Sequence, residues 1–142
     1  MGEPIVYLST WKIKDGKFED YRRFYGRMLD AIRTRDVGVL AFYAFGNEDG
    51  TEITNVHVFP EETTLERHMA VIAEQMGLLP EDLTAMSAFM EPVGVQVYGM
   101  PSSTAAAMDQ SLIDAGVPFT AKRNYLGGFS LADQRADASP LD

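Results

Sequence analysis

The pattern of apolar side chains changes early in the chain. Residues 5–13 are rich in β-branched and aromatic side chains, which is typical of a strand, and Asp15-Gly16 breaks this run. From Phe18 onward, apolar residues recur at steps of three and four, which places them on one face of a helix. These residues are Phe18, Tyr21, Tyr25, Met28, Leu29 and Ile32. We expect Asp36 and Gly38 to end this helix.

The middle of the chain predicts two strands joined by a tight turn, followed by a second helix. The strands are residues 39–45 and 52–59, and Asp49-Gly50 between them supports positive φ at low steric cost. Pro60 ends the later strand, and Thr63 or Thr64 can cap the helix that follows. The apolar face of this helix is Leu65, Met69, Ile72 and Met76, and Gly77 ends it. A short extra helix over 80–89 and a strand over 93–98 come next.

The order of these elements is that of the split βαβ unit, which predicts a ferredoxin-like α+β fold. Its four-stranded antiparallel sheet carries helices on one face only. We assign four apolar residues of the first strand to the uncovered face: Ile5, Tyr7, Trp11 and Ile13. Such a row cannot be left in water, so a second subunit is expected to cover it in a homodimeric α/β barrel. The alternative is that the residues after 101 fold back over it.

The segment after Pro101 predicts a C-terminal extension. A helix is expected from Ser102 to Ala115, followed by a fifth strand over 119–129. We expect residues 101–131 to pack on the domain formed by residues 1–100. Residues 132–142 are small, polar and charged, and are expected to form a flexible tail.

The composition of the chain argues against some classes of binding partner and indicates the cellular compartment. Twenty-one acidic residues against twelve basic ones give a net charge of −9, which opposes binding to a nucleic-acid backbone. The chain has no cysteine, and this excludes disulfides, thiolate metal sites and a cysteine nucleophile. The start of the sequence lacks the pattern of a signal peptide, and no stretch has the length of an apolar membrane span. A cytoplasmic protein without a membrane or nucleic-acid partner is therefore expected.

Three short motifs resemble the antibiotic biosynthesis monooxygenase family. Val56-His-Val-Phe-Pro-Glu-Glu-Thr-Thr-Leu-Glu-Arg-His-Met69 is similar to the family's strand, acidic turn and Leu-Glu-x-His-Leu pattern. Lys14-Asp15-Gly16 followed by Phe18-Glu-Asp-Tyr21, and Gly38-Val-Leu-Ala-Phe-Tyr43, resemble its first helix start and its second strand. The resemblance covers roughly residues 4–98 and implies a dimeric α/β barrel.

The same resemblance implies a range of activities rather than one. Proteins of this fold include cofactor-free oxygenases, haem-degrading oxygenases, cyclases, isomerases and members with no known reaction. The haem-degrading branch has an Asn on the first strand, a Trp on the second helix and a haem-ligating His beyond it. Ser9, His68 and Leu78 occupy those places here, so haem degradation is not expected. The resemblance to the cofactor-free oxygenases implies that no organic cofactor is bound.

The two histidines of the chain, His57 and His68, are the candidate catalytic residues. If Val56 and Val58 pack against the helices, alternation along the strand sends Asn55, His57 and Phe59 to the opposite, barrel-lining face. His68 falls at the edge of its helix's apolar stripe, from which it can reach a pocket and act as a general base. The alternative is a half-buried histidine with a purely structural hydrogen bond.

Aromatic and polar residues are the candidates for substrate binding. An interior lined by aromatic rings with a few hydroxyl and imidazole groups suits a flat, apolar substrate such as a phenol or polyketide. The candidates are Tyr7, Ser9, Trp11, Tyr43, Asn55 and Tyr98. The alternative is that these rings belong to the core or the dimer interface. A metal site is not expected, because no recognised ligand spacing combines the histidines with Glu61, Glu62 or Glu66.

The resemblance to the monooxygenase family implies a small-molecule enzyme that deprotonates a phenolic or enolic substrate, which then reacts with oxygen. His68 is the expected base, and Ser9, Asn55 or a tyrosine would hold the substrate oxygen. The same base could serve a cyclisation or isomerisation. The competing hypothesis is a non-catalytic dimer that binds a small ligand or only assembles.

Overall fold

The computed structural model describes residues 2–35, 38–76 and 90–131. Within these ranges the elements follow the order β-α-β-β-α-β-α-β. They are β1 (Ile5–Ile13), α1 (Phe18–Arg35), β2 (Ala41–Gly46), β3 (Glu52–Phe59), α2 (Glu62–Met76), β4 (Met90–Tyr98), α3 (Ser103–Asp114) and β5 (Phe119–Lys122). The short helix expected over 80–89 and the tail expected over 132–142 lie outside the described residues.

One five-stranded mixed sheet organises the chain, in the order β2-β3-β1-β4-β5. β1 lies at the centre and pairs antiparallel with both β3 and β4, while β5 runs parallel to β4. In the central register Tyr7 is opposite His57, and Ser9 is opposite Asn55. The antiparallel part is the ferredoxin-like arrangement that the sequence predicts, and β5 extends it at one edge.

The helices cover the sheet face opposite to the one we expected them to cover. Ile5, Tyr7 and Ile13 are buried and face the helices, where Ile5 and Tyr7 pack with Leu65 and Met69 of α2. The assignment of this row to the uncovered face was therefore wrong. β1 carries apolar side chains on both faces, and the alternation alone does not show which row the helices bury.

The facing of β3 is corrected in the same way. Phe59 and Asn55 are buried on the helix side, while Val56 and Val58 lie on the other face. The aliphatic character of the two valines predicts that they pack on the helices. In the structure, Ile53 packs with Tyr21 of α1, and Phe59 packs with Leu65 and Met69 of α2.

Several element boundaries differ from the expected ones. α2 begins at Glu62, so Thr63 and Thr64 lie inside the helix rather than capping it. β5 ends at Lys122, well before Phe129. On α1 the buried residues include Phe24, whereas Phe18 is partly exposed.

The C-terminal extension packs on the sheet as far as β5. Ser102 caps α3 by accepting a hydrogen bond from the backbone N–H of Ala105, and Met108 and Leu112 pack against the core. Beyond β5 the apolar side chains are exposed: Leu126 is 91% and Phe129 is 81% accessible. This differs from the expectation that Phe129 packs on the core.

The sheet face away from the helices is called the open face here. It is formed by the alternate residues of four strands, namely Val6, Leu8, Thr10, Ala41, Tyr43, Phe45, Thr54, Val56, Val58, Gln96 and Tyr98. Tyr43 and Phe45 are more than half exposed, and none of the described helices packs on this face. No helix in the described part of the chain is long and apolar enough to cross a membrane.

Candidate active site

A cavity of about 120 Å³ lies between the sheet and the three described helices. Its wall is mostly apolar and combines side chains of β1, β3 and β4 with side chains of α1, α2 and α3. The lining residues are Tyr7, Ser9, Trp11, Met28, Asn55, His57, Phe59, Leu65, His68, Met69, Ile72, Val95, Met108, Asp109 and Leu112. This volume is of the same order as that of a dry apolar cavity of roughly 150 Å³ that holds a benzene molecule.

The two histidines form one side of this cavity. His57 projects from β3 and stacks on Phe42 at a centroid distance of 3.7 Å, and His68 projects from α2 to 4.9 Å from the ring of Phe59. The two imidazole centroids are 5.8 Å apart. Aromatic neighbours fix the orientation of both rings, but they offer no hydrogen bonds. Among the described residues, His57 Nε2 and His68 Nδ1 are buried without a hydrogen-bond partner.

Burial keeps both imidazoles neutral. Loss of solvent, followed by the effect of neighbouring His68, lowers the pKa of His57 to about 3. Burial lowers the pKa of His68 to about 4. An apolar site disfavours the charged form of a base, so at neutral pH each ring has one nitrogen free to accept a proton.

A buried carboxyl group forms another part of the cavity wall. Asp109 of α3 is only 2% exposed, and its Oδ2 accepts a hydrogen bond of 2.9 Å from the hydroxyl of Tyr7. Its Oδ1 has no partner among the described residues. Burial raises the pKa of Asp109, against the opposing effects of the Tyr7 hydrogen bond and the charge of Arg123. Burial also raises the pKa of Tyr7, which therefore keeps its proton.

Polar groups from the sheet complete the lining. The Oδ1 of Asn55 accepts a hydrogen bond from the hydroxyl of Tyr21 at 3.4 Å, which ties β3 to α1. The indole Nε1 of Trp11 is buried and has no partner within the described ranges. Ser9 contributes the hydroxyl of a third side chain. No group of three His, Asp or Glu side chains suited to a metal ion is found among the described residues.

The structure brings six of the eight predicted site residues to one cavity: Tyr7, Ser9, Trp11, Asn55, His57 and His68. Tyr43 and Tyr98 lie on the open face instead, and the Tyr98 hydroxyl donates to Gln96. The roles assigned to these residues stay predictions.

Sequence reasoning missed Asp109, because we had assigned no function to the extension. A signal was present. Asp109 follows Ala105 by four residues and precedes Leu112 by three, which places a carboxyl group on the apolar face of a helix. A charged residue in such a stripe is costly unless it has a partner, and so it indicates a special role.

Comparisons with known proteins show the fold. The sequence matches no protein-family model and no curated protein. The structure is similar to MupZ from Pseudomonas fluorescens, with a TM-score of 0.62 at 16% identity over 93% of each chain. It is also similar to SnoaB, described as a cofactor-independent oxygenase from Streptomyces nogalater, with a TM-score of 0.52 at 16% identity over 72% of this chain and 97% of that one.

A third solved structure agrees with these two. A candidate antibiotic biosynthesis monooxygenase from Bacteriodes thetaiotaomicron has a TM-score of 0.51 at 17% identity over 63% of this chain and 85% of that one. The resemblance indicated by the sequence motifs is therefore confirmed at the level of the fold. The match to MupZ covers most of the C-terminal extension as well.

Proposed function

We propose that this chain is a small-molecule enzyme that removes a proton from an apolar aromatic or polyketide-like substrate. One observation carries the proposal. Three titratable side chains, His57, His68 and Asp109, have buried polar atoms without partners in the described part of the chain, and all three line the same apolar cavity. A buried polar atom without a partner costs about 1–3 kcal/mol, and a bound ligand that supplies the partner would recover this cost. Apolar pockets with a few convergent polar groups are typical of substrate sites.

His68 is the proposed base. Its neutral Nδ1 would accept the proton of an activated C–H or O–H group, while Asn55 or Ser9 holds the substrate oxygen. In an oxygenase reaction the resulting carbanion adds O₂ to give a peroxide. The carbon then becomes a carbonyl, and the second oxygen atom leaves as water. The likeness of the fold to that of SnoaB, described as a cofactor-independent oxygenase, supports this branch.

We further propose that two copies of the chain associate through their open faces. The reason differs from the one that the sequence suggested, since the row formed by Ile5, Tyr7 and Ile13 is covered by helices. The open face carries Tyr43 and Phe45 at 57% and 63% exposure beside the half-buried Val56 and Leu8. An apolar surface of this kind typically marks an interface.

Proton abstraction can be tested before the natural substrate is known. The probe is 1-indanone, an apolar ketone with one aromatic ring, incubated with the protein in D₂O and followed by proton NMR. We expect the wild type to exchange the α-protons for deuterium faster than buffer does, and His68→Ala to lose most of that rate. Arg67→Ala is the control, because Arg67 is the exposed neighbour of His68 on α2.

The outcomes separate the hypotheses. Binding of 1-indanone without exchange would contradict the enzyme proposal and support a ligand-binding protein. Exchange accompanied by oxygen uptake would support the oxygenase branch. Exchange without oxygen uptake would support an isomerase or cyclase.

A further inference from the structure

The titratable groups of the cavity come from three different elements, β3, α2 and α3. In the sheet, Tyr7 of β1 is the direct neighbour of His57 on β3, and on its other side β1 pairs with β4. The Tyr7 hydroxyl reaches Asp109 of α3, a helix that packs against both the sheet and α2. The two imidazoles therefore enter the cavity from β3 and α2, and the carboxyl group enters it from α3.

The hydrogen bond from Tyr7 determines which carboxyl oxygen can be an acid. Oδ2 of Asp109 accepts the Tyr7 hydroxyl proton, so a proton on the carboxyl group belongs on Oδ1. Oδ1 is the atom without a partner among the described residues. A protonated Asp109 can thus donate a hydrogen bond to a ligand in the cavity that it lines.

We propose that Asp109 is a second catalytic residue, a general acid that lines the same cavity as His68, and that Tyr7 is its positioning residue. This inference rests on the proposed function and narrows it to enolisation of a carbonyl substrate. His68 takes the α-proton as the C–H bond breaks, and Asp109 gives its proton to the carbonyl oxygen, forming an O–H bond. The product is the enol, no electrons are gained or lost, and no co-reactant is consumed. Return of the two protons to different atoms would isomerise the substrate.

The electrostatic surroundings agree with this division of roles. Burial raises the pKa of Asp109 and lowers the pKa of His68, so the carboxyl group retains its proton to higher pH while the imidazole stays unprotonated. The groups that act on Asp109 are Tyr7 and Arg123, and His57 and His68 line the same cavity. The proposed step requires Asp109 to be protonated and His68 to be unprotonated, and these two shifts favour those states.

The competing explanation is that Asp109 only ties α3 to β1. The variants Asp109→Asn and Tyr7→Phe, with Asp114→Asn as control, distinguish the two. Asp114 lies on the same helix but is exposed. In the 1-indanone exchange assay we expect Asp109→Asn to lower the rate by about 10²-fold, with the dissociation constant of 1-indanone changed by no more than about threefold. Asp114→Asn should match the wild type.

The pH profile gives a readout that a structural tie would not change. The wild-type exchange rate should fall as the pH rises through the pKa of Asp109, and this fall should be absent in Asp109→Asn. Tyr7→Phe should move it to higher pH, because the Tyr7 hydrogen bond lowers the pKa of Asp109. The presence or absence of this shift in Tyr7→Phe shows whether Asp109 acts as an acid, even if Asp109→Asn fails to fold.

Failure of this inference is distinguishable from failure of the proposed function. If His68→Ala is slow and Asp109→Asn exchanges at the wild-type rate, Asp109 is not an acid and the proposed function stands. If Tyr7→Phe leaves the fall of the exchange rate at high pH where it is in the wild type, Asp109 is not the acid, and the proposed function again stands. If the wild type does not exchange 1-indanone protons, both proposals fall.

Discussion

The side chains around His57 and His68 determine the protonation state of the two imidazoles. Both rings pack among aromatic side chains that exclude water, and Phe42 stacks directly on His57. A protonated imidazole there would lose its hydration and gain no anionic partner in return. The result is a pair of neutral rings in the core.

This burial predicts a specific loss of stability in acid. The unfolded chain binds protons at His57 and His68 as the pH falls below about 6.5, whereas the folded chain resists until about 3 and 4. The stability that comes from the neutral rings is therefore complete above pH 6.5 and is lost as the pH falls toward 4. The loss is on the order of 3 kcal/mol for each histidine.

Urea unfolding at pH 7, 5.5 and 4.5 measures this effect. Replacing the ring by an aromatic group that does not titrate, as in His57→Phe, should reduce the loss between pH 7 and 4.5. Identical pH dependence in His57→Phe and the wild type would show that His57 is not buried as a neutral ring.

His68→Ala tests the catalytic role at the same scale. We expect the rate of 1-indanone exchange to fall by ~10²–10⁴-fold, as for loss of a general base, while the free energy of unfolding falls by only about 1–3 kcal/mol. Val71→Ala is the matched control. Val71 is buried on the same helix without lining the cavity, so its variant should lose stability but keep the rate. Full turnover in His68→Ala would leave His68 with a structural role only.

At the level of single residues, the sequence showed which residues could take part in the chemistry more readily than it showed which sheet face their side chains point to. The histidines, Asn55 and the residues of β1 could be selected because few side chains in the sequence can transfer a proton or hold a polar oxygen. Tyr43 and Tyr98 could not be separated from Tyr7, since on a strand a shift of one position sends a side chain to the other face. Asp109 stands out by its place on the apolar face of α3, but the sequence does not show its partner, because Tyr7 is 102 positions away.

Among the elements, α3 contributes the carboxyl group of Asp109 to the cavity. Glu66 of α2 holds the start of this helix, because its two carboxylate oxygens accept hydrogen bonds from the backbone N–H and the hydroxyl of Thr104, each at 3.0 Å. Together with the Ser102 cap, this contact fixes the first turn of α3 against α2.

Removal of this contact should loosen α3 selectively. Glu66→Ala is expected to lower the free energy of unfolding by about 1–2 kcal/mol, because two donors at Thr104 lose their acceptor. Hydrogen exchange measured by mass spectrometry should rise in residues 103–114 more than in α1. Glu62→Ala is the control, because Glu62 lies in the exposed first turn of α2, the helix that also carries Glu66. Equal protection of α3 in Glu66→Ala and the wild type would contradict this account.

The elements themselves were largely predictable, since period and turn chemistry are local properties. β1 and β3 have the expected bounds, and α3 lies within the range expected for the helix after Pro101. The sheet face that the helices cover is not determined by local properties of the sequence. It depends on which row of β1 and β3 the helices pack on, and both rows are apolar enough for either answer.

At the scale of the whole molecule, the open face predicts a homodimer. An obligate interface of this type usually buries at least ~2,000 Å² in total. Sedimentation at micromolar concentration should give a dimer for the wild type and a monomer for Tyr43→Lys combined with Phe45→Lys. Both side chains are exposed in the monomer, so the double variant should fold.

Ile113→Lys is the control for this experiment, because Ile113 is an exposed apolar residue on α3 and lies away from the open face. It should remain dimeric. A wild-type monomer at micromolar concentration would contradict the association of the open faces.

The central claim is that the cavity between the sheet and the helices is an acid–base site. A crystal structure of the protein soaked with 1-indanone tests it most directly. We expect the ring inside the cavity, with the carbonyl oxygen within hydrogen-bond distance of Asp109 Oδ1 and the α-carbon beside His68 Nδ1. A cavity that stays empty in crystals saturated with 1-indanone, or a ring bound on the open face beside Tyr43, would contradict it.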